Sequence, residues 1–583
     1  MDKELRGMLD ASANRPADAD FGWWPQVFWR DVEDRVRVLR QRIFTAAREA
    51  DHKRVRSLQR LMLRSWSNTL WAVRRVTQAN AGRGTAGVDG MVILDDESRA
   101  AMAWWLSRNA MKVEPLPVRR VYIPKAGGKR RPLGIPTLTD RACQAIVLNA
   151  LEPEWEARFE PDVYGFRPGR GCHDALAAIF GTCAGATRHR MWVLDADLKG
   201  AFDNIDHDRL LAALEGFPAR EHIRAWLKAG VMEQGETSPT EAGTPQGGII
   251  SPLLLNVAMH GMEEAAGVRR YPQHWGHQGD HVAKGSPVLV RYADDFVALC
   301  HSQDDALAVK DRLTEWLRPR GLEFNEDKTR IVSLFDGFDF LGFNIRRYPC
   351  GKLLMKPSKA ALARIRKRLH GEVKALHGAN ALAVVATLNP IIRGWAAYYR
   401  IGVSSHAYHQ LEDWLFWRLW YWAIRTHPNK GKRWIKARYW RKYHPRRGDH
   451  WTFGDPETGR YLAKFTWTPI VRHAKVKGRA SPDDPGLADY WRQRRKRQPA
   501  PVADFLADLL RQQNGRCPRC YAPLLYADRL PQTPTEWETW HQSIRTAIRR
   551  GAVTDPNAGH GRQLLHLHCV NHAPPARAAP GLA

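Results

Sequence analysis

The chain has 583 residues, of which 44% are hydrophobic, so its composition excludes a largely disordered protein and allows three or more domains. Lys and Arg outnumber Asp and Glu by 90 to 61, and the net charge of +29 favours a polyanionic partner, because each neutralised phosphate releases a counterion. The 24 Trp and 15 Tyr are mixed with the basic residues, which argues against a ribosomal or histone-like protein with basic tails and suits unpaired bases.

Targeting signals and cross-links are not predicted. No apolar run approaches the roughly 20 residues that span a bilayer. Residues 1–20 lack the apolar core of a signal peptide. Of the eight cysteines, only Cys517 and Cys520 form a close C-x-x-C pair, so a disulfide framework is not expected. We expect a cytoplasmic bacterial protein that has no membrane partner and joins the nucleoid when it is bound to DNA.

Apolar spacing and turn residues predict the order of the elements after a flexible lead at 1–20. Helices are predicted at 29–77, 138–151, 301–320 and 358–443. Strands are predicted at 118–124, as one arm of a hairpin that turns at 126–129, and at 331–346. The glycine-rich stretch 82–90 predicts a loop between the first helices and the hairpin.

Two further apolar stretches, each typical of a buried strand, end in acidic residues. Residues 191–194 precede Asp195 and Asp197. The second stretch precedes Asp294 and Asp295. Clustered carboxylates can bridge two Mg²⁺ ions about 4 Å apart, of which one activates a 3′-hydroxyl and the other takes charge on a triphosphate. For the second stretch alone, a solvated Asp-Asp hairpin tip is the alternative interpretation.

Residues 291–296 (RYADDF) resemble the YADD box of group II intron reverse transcriptases. The resemblance implies that Asp197, Asp294 and Asp295 are catalytic, with Asp197 and Asp294 as the main ligands of two Mg²⁺ ions. It also implies that Phe202 lies against the sugar, where a phenyl ring leaves no room for a 2′-hydroxyl and favours deoxynucleotides. A core phenylalanine beside a strand end is the alternative for Phe202.

Other blocks resemble the same family in the same order. They are the PQG block at 243–252, the finger hairpin at 122–136, a block at 164–170 that we interpret as template contact and packing, and the palm blocks at 321–343. The residues that these blocks assign to nucleotide binding are Lys125, Arg131, Phe202, Gln246 and Lys328. A solvated basic turn is the alternative for the two cations of the hairpin.

The two ends of this region resemble the RNA-binding parts of the family. Residues 29–90 resemble its N-terminal extension, and 388–400 its thumb or maturase domain. Leu411, Leu415, Leu419 and Trp422 give the thumb an apolar face. The basic residues predicted to bind RNA are Arg74, Arg75, Arg167, Arg393, Lys432, Arg433, Lys436 and Arg438. An ordinary solvated helix face is the alternative, but alternating basic and aromatic residues favour RNA.

The tail resembles the His-Asn-His endonuclease domain carried by many members of the family. Cys517 and Cys520 resemble its start, and residues 565–569 its end. The spacing of these two cysteines with Cys569 and either His566 or His572 is compatible with a structural Zn²⁺ site. The His-His pair of that domain has no counterpart in 521–560. We therefore interpret the tail as a degenerate endonuclease domain without DNA cleavage, for which DNA binding or a role in folding stays open.

These patterns predict an α+β right-hand polymerase with fingers, a palm built on an antiparallel sheet, an all-α thumb and a small Cys/His-containing C-terminal domain. The expected domains are an N-terminal extension with the start of the fingers at 1–90, the rest of the fingers and the palm at 91–355, the thumb at 356–480, a basic DNA-binding linker at 481–505 and the endonuclease-like domain at 506–583.

The expected function is RNA-directed DNA synthesis with assistance to intron splicing and mobility by target-primed reverse transcription. Its partners would be group II intron RNA, an RNA template with a DNA primer, target DNA and dNTPs. A host-adopted reverse transcriptase, for defence or CRISPR-linked, and a splicing-only RNA-binding protein stay open, whereas Phe202 argues against a viral RNA polymerase.

Overall fold

The computed structural model describes residues 21–124, 130–185, 189–271, 281–497, 509–510, 512–518, 524, 531–553 and 563–565. The helices are α1 Trp29–Arg48, α2 His52–Arg64, α3 Trp66–Arg74, α4 Asp96–Asn109, α5 Leu138–Arg158, α6 Cys172–Cys183, α7 Ala201–Asn204, α8 His207–Ala213, α9 Arg220–Lys228, α10 Ser251–Ala258, α11 Met262–Ala265, α12 Gln303–Leu317, α13 Lys359–Ala375, α14 Ala381–Tyr399, α15 Ser405–Thr426, α16 Lys432–Tyr439, α17 Ala488–Arg497 and α18 Pro534–Gly551. Within these ranges no helix has the length and apolarity that a membrane span requires.

The strands are β1 Val118–Pro124, β2 Arg130–Ile135, β3 Trp192–Asp197, β4 Val231–Glu233, β5 Glu236–Ser238, β6 Val288–Tyr292, β7 Asp295–Cys300, β8 Arg330–Ser333, β9 Phe338–Phe340, β10 Phe343–Arg347, β11 Leu353–Pro357, β12 Trp440–Arg441, β13 Thr452–Phe453, β14 Ala552–Val553 and β15 Gln563–Leu564. They form two four-stranded sheets, in the orders β2-β1-β4-β5 and β6-β7-β3-β8, and a three-stranded sheet in the order β11-β10-β9, together with two-stranded pairs.

The N-terminal helices α1 to α3 pack with α5 as one amphipathic bundle. The predicted helical spacing is confirmed, because Val36, Ile43 and Met62 all lie in the apolar core. The Asp51 and Ser65 side chains accept hydrogen bonds from backbone N–H groups at the starts of α2 and α3, which stabilises the breaks between the helices.

The predicted finger hairpin is confirmed as β1 and β2, which pair antiparallel from Arg119 opposite Ile135 to Pro124 opposite Arg130. Its base is fixed to the loop that carries the PQG sequence. The Gly134 N–H donates to the Gln246 carbonyl at 2.9 Å, and a Cβ on Gly247 would lie 2.6 Å from the Gly134 oxygen. Glycine is required there because the two backbones approach so closely.

The palm is the antiparallel sheet β6-β7-β3-β8, with the helix α6 packed on β6 and α12 on β3 and β7. Its central strands are covered on both faces, and Phe296, Val297 and Leu299 of β7 are fully buried. Continuous apolar runs are expected for strands that are buried on both faces, which is why the two sequence stretches lacked polar alternation.

The thumb consists of α13 to α16, joined to the palm by the sheet of β9, β10 and β11. Its predicted apolar face is confirmed, since Leu411, Leu415, Leu419 and Trp422 are all buried. Within the described ranges, the expected α+β polymerase architecture with antiparallel sheets and a helical region after them is therefore confirmed.

The stretch expected to begin a linker at 481 is packed against the rest of the protein. Arg40 of α1 donates two hydrogen bonds to Asp483, at 2.9 and 2.7 Å, and Trp491 of α17 is buried against Gly169. Residues 481–497 therefore form an ordered strap across the fingers and palm, and their binding to DNA stays a prediction.

Candidate active site

The second acidic pair lies at the tip of a two-residue hairpin between β6 and β7. Tyr292 pairs with Asp295 across the hairpin, and Ala293 and Asp294 form the turn. Ala293 has a φ of 59°, a left-handed conformation that disfavours residues with a Cβ. A turn held in this conformation needs support from its surroundings.

That support comes from a segment that precedes α6 and from α10. A Cβ on Gly165 would lie 2.1 Å from the Ala293 nitrogen, so glycine is required for this contact. The Arg291 side chain is buried and donates to Asn256 Oδ1 at 3.0 Å, while Asn256 Nδ2 donates to the Gly165 carbonyl at 2.9 Å. Sequence reasoning missed Asn256 in this role, because its partners are distant along the chain.

The first acidic pair is brought to the hairpin by strand pairing. Asp197, the last residue of β3, lies directly opposite Asp295 of β7. Asp195, two residues earlier, lies on the same face of the strand, because side chains alternate along a strand. The structure thus brings together Asp197, Asp294 and Asp295, the three residues predicted to be catalytic, and adds Asp195, whose role the sequence did not reveal.

The carboxylates of this cluster are crowded and largely removed from water. Burial, followed by the negative charge of Asp294 and the hydrogen bond and charge of Asp197, raises the pKa of Asp295 to about 8. Burial also raises the pKa of Asp294. Burial, with smaller contributions from the negative charges of Asp339 and Asp197, raises the pKa of Asp195 to about 6. Burial and mutual repulsion therefore disfavour the ionised form of these carboxylates.

Two cations partly neutralise this excess of negative charge. The Lys328 ammonium forms an ion pair with Asp197, and Arg330 lies 3.5 Å from Asp195. Both cationic side chains are more than half exposed, so either of them can move aside. These residues line a cleft of about 310 Å³.

A divalent cation fits this cleft by its donor chemistry. Several carboxylate oxygens at neighbouring strand ends, with too little positive charge nearby, suit Mg²⁺, which takes the rest of its ligands from water and substrate phosphates. Within the described ranges, no three side chains form a ready-made metal cage. Asp197 and Asp295, which line the cleft, and Asp294 in the adjoining turn are the residues that would hold the ion.

The predicted nucleotide-binding residues lie around this cluster. Phe202 is half-buried, with its ring 6.1 Å from that of Phe166, and its carbonyl accepts from the Thr244 N–H at 2.6 Å. Gln246 donates to Asp203 at 3.1 Å. Arg131 of β2 is close enough to stabilise the charged form of Asp294, and Lys125 lies outside the described residues.

Arg167 requires a correction, because it has no guanidinium face available to RNA. Its Nε and Nη2 atoms donate to the Glu156 carboxylate at 2.8 and 3.1 Å, and its Nη1 atom donates to two backbone carbonyls. Both side chains of the pair are 1% exposed. Arg167 therefore stabilises the fold, and the predicted RNA contact at this residue is wrong.

The other predicted RNA-binding cations differ in how far they are exposed. Arg74 is largely buried, 3.6 Å from Glu33 and over the Trp29 ring at 4.1 Å, which is a packing role. The exposed group consists of Arg393, Lys432, Arg433 and Lys436, while Arg75 and Arg438 are half-buried. Exposed Trp434 and Trp451 lie among the thumb cations, as expected for a surface that binds RNA.

The predicted zinc ligands fall mainly outside the described part of the chain. Cys517 is fully buried, whereas Cys520, His566 and Cys569 are not among the described residues. The zinc site and the endonuclease-like nature of 506–583 therefore stay predictions.

Three families match consecutive parts of the chain. The N-terminal domain of reverse transcriptase matches residues 24–106, reverse transcriptase (RNA-dependent DNA polymerase) matches 123–345, and the maturase-specific domain of group II introns matches 362–440. The second of these ranges contains Asp197, Asp294 and Asp295. Polymerases with this domain use divalent metal ions, and the maturase domain implies binding to intron RNA.

Curated relatives agree with these matches. Protein YkfC of Escherichia coli is 34% identical over 338 residues, which cover 53% of this chain and 88% of that protein. Group II intron-encoded protein LtrA of Lactococcus lactis is 33% identical over 317 residues, 45% of this chain and about half, 51%, of LtrA. A telomerase structure from Candida tropicalis, at 15% identity and a TM-score of 0.30, is too distant to bear on this chain. The chain belongs to the family of group II intron reverse transcriptases with a maturase domain.

Proposed function

We propose that this protein is an RNA-directed DNA polymerase that also binds its group II intron RNA. It would assist splicing of that RNA and copy it into DNA at a target site by target-primed reverse transcription. The observation that carries the polymerase proposal is the pairing of Asp197 with Asp295 beside Asp294, in a carboxylate cluster where burial and neighbouring negative charge raise the pKa of Asp295.

In this proposal Asp197 and Asp294 hold two Mg²⁺ ions, with Asp295 in support. The bound metal would supply activation of the primer 3′-hydroxyl and neutralisation of the triphosphate charge. Lys328 would release Asp197 when the metal binds and turn to the phosphates, because its side chain is half exposed. Arg131 and Lys125 of the finger hairpin would hold the triphosphate.

The selection of deoxynucleotides is assigned to Phe202. Its ring is held from one side by Phe166, and its backbone by Thr244 of the PQG loop, so it cannot easily withdraw from a sugar that binds beside it. Gln246 would contact the incoming nucleotide after exchanging its bond to Asp203.

Recognition of intron RNA is assigned to the exposed thumb surface around Lys432, Arg433, Lys436 and Trp434, with Arg438 on the same helix. Arg393 of α14 and Arg75 of the N-terminal region would add further contacts. Cations provide affinity for phosphates, and aromatic rings provide stacking platforms for unpaired bases. Residues 481–505 would bind target DNA, and the tail would hold a structural Zn²⁺. The protein would lie in the bacterial cytoplasm and on the nucleoid when it is bound to DNA.

The experiment is primer extension on an RNA template with dNTPs and Mg²⁺, comparing the wild type with Asp294→Ala. We expect the variant to lose activity by at least about a thousandfold, since it removes a metal ligand from the reacting centre. Asp304→Ala, an exposed carboxylate on α12, is the matched control and should extend like the wild type. A folded wild type that does not extend primers would exclude the polymerase and leave the splicing-only alternative.

A further inference from the structure

The C-terminal helix α18 is built into the thumb and palm. Trp537 and Trp540 are buried in the same apolar core as α14. A Cβ on Gly394 of α14 would lie 2.6 Å from the Glu538 nitrogen, and Glu538 forms an ion pair with Arg368 of α13 at 2.6 Å. The described part of the tail is therefore held tightly against the polymerase.

Gln532, just before this helix, reaches the strand that carries the catalytic turn. Its Oε1 atom accepts hydrogen bonds from the Cys172 N–H at 2.7 Å and from the Tyr292 hydroxyl at 3.3 Å. Gln532 is 7% exposed, and a Cβ on Gly171 would lie 2.6 Å from its Oε1 atom. The absence of a side chain at Gly171 thus leaves room for the Gln532 amide.

Gln532 is itself fixed from two further directions. Its backbone N–H donates to Glu536 Oε2 at 2.7 Å, and its carbonyl accepts from the Cys172 thiol at 3.2 Å. The Cys172 N–H is one of the unpaired donors at the start of α6, so Gln532 also satisfies a backbone group that the helix leaves free. A buried acceptor with these partners has little freedom to move.

The partner that matters for the reaction is Tyr292. It ends β6, lies opposite Asp295 and is followed directly by the strained turn of Ala293 and Asp294. A change in the direction of Tyr292 would therefore displace two of the catalytic carboxylates together.

We propose that Gln532 is a positioning residue for the polymerase, which fixes the catalytic hairpin through Tyr292 and makes the C-terminal segment part of the active site's support. The inference rests on the proposed polymerase function and deepens it. Gln532 acts through Tyr292 and does not touch substrate, so its loss lowers kcat and leaves the KM for primer–template unchanged. Small displacements of reacting groups have large effects on rate.

The test uses full-length variants in primer extension. Gln532→Met keeps the length of the side chain and removes the acceptor, and we expect kcat to fall by about tenfold. Gln532→Glu keeps the acceptor oxygens, and the dipole at the start of α6 favours its negative charge. The kcat of this variant should therefore lie within about threefold of the wild-type value. Thr535→Ala, an exposed change on the same helix, is the control and should extend primers like the wild type.

A double-mutant cycle separates positioning from general stability. Tyr292→Phe should reduce kcat by no more than Gln532→Met, because the latter also removes the acceptor of the Cys172 N–H. The double variant should lose no more than the larger single loss, because both changes break the bond between Tyr292 and Gln532. Melting temperatures of all variants are measured alongside.

The role of Gln532 would be overturned by losses that multiply in the double variant, by a wild-type kcat in Gln532→Met, or by a loss that Gln532→Glu does not restore. In each of these cases, primer extension by the wild type would still support the polymerase. Absence of extension by the wild type would overturn both.

Discussion

The palm and the thumb use charge in opposite ways. In the palm, Asp294 and Asp295 are crowded and removed from water, and burial raises the pKa of both carboxyl groups. On the thumb, Lys432, Arg433 and Lys436 are exposed, and Lys436 lies over the Trp451 ring at 4.3 Å. Charge in the palm is thus buried and lowers the stability of the fold, whereas charge on the thumb is solvated and has little effect on stability.

The difference follows from what each region has to bind. A small divalent cation needs several carboxylate oxygens at fixed positions, which forces like charges together before the metal arrives. A polyanion needs only a surface with positive potential, and solvated cations supply that without being rigidly placed. The catalytic cluster therefore destabilises the metal-free fold, whereas the thumb surface does not.

Arg167 and Glu156 show a third use of charge, in which both members of a pair are buried. Because each has its partner, neither is available for a ligand. Arg167 and Glu156 therefore have a structural role, whereas the carboxylates of the palm have exposed cationic partners that a ligand can displace.

The largest effect on stability is expected for Arg167→Met. The change leaves the Glu156 carboxylate buried without its partner, which costs about 3–5 kcal/mol of unfolding free energy. Arg433→Met, at an exposed thumb residue, should change stability by no more than about 0.5 kcal/mol. Chemical denaturation measures both, and equal stabilities of the two variants would contradict a structural role for Arg167.

A smaller effect, on RNA affinity, is expected for the triple variant Lys432→Gln, Arg433→Gln and Lys436→Gln. Loss of three phosphate contacts should lower the slope of log K against log salt by about 2. The control removes the same number of exposed charges from the palm and fingers, at Arg209, Lys228 and Lys284. Filter binding to intron RNA at several salt concentrations measures the slopes, and the same slope in both triple variants would remove the thumb surface from the RNA site.

The smallest effect is a pH-dependent stabilisation by Mg²⁺. The ordinary pKa of Asp295 is 3.8, and its pKa in the fold is about 8. At pH values between these two, the folded chain keeps a proton on Asp295 that the unfolded chain has lost, so the metal-free fold loses stability as pH rises. Mg²⁺ binds the ionised carboxylates and offsets this loss. The rise in melting temperature on adding Mg²⁺ should therefore be greater near pH 8.5 than near pH 5.5, by on the order of 2 °C.

Asp295→Asn provides the control for this pH dependence. The variant cannot ionise at this residue, so most of the difference between the two pH values should disappear. A wild type whose melting temperature responds to Mg²⁺ equally at both pH values would show that the carboxylates are not strained in the metal-free fold.

The sequence was sufficient wherever neighbouring residues decide the structure. The finger hairpin, the strand ends with Asp197 and Asp294, and the apolar face of the thumb all follow from local spacing and turn residues. It misled at Arg167, because an arginine in a Gly- and Pro-rich block looks the same whether it faces solvent or a buried glutamate 11 residues away.

Tertiary structure alone decided which charges are paired and what supports the catalytic turn. Asn256, Gly165 and Gln532 contact the region of the turn from distant parts of the chain, so no local pattern reveals them. The family of this protein could be predicted from sequence because its motifs are short blocks of particular residue types that occur in a fixed order. Burial and long-range pairing depend on how separate segments pack together, and short spacing carries no information about that.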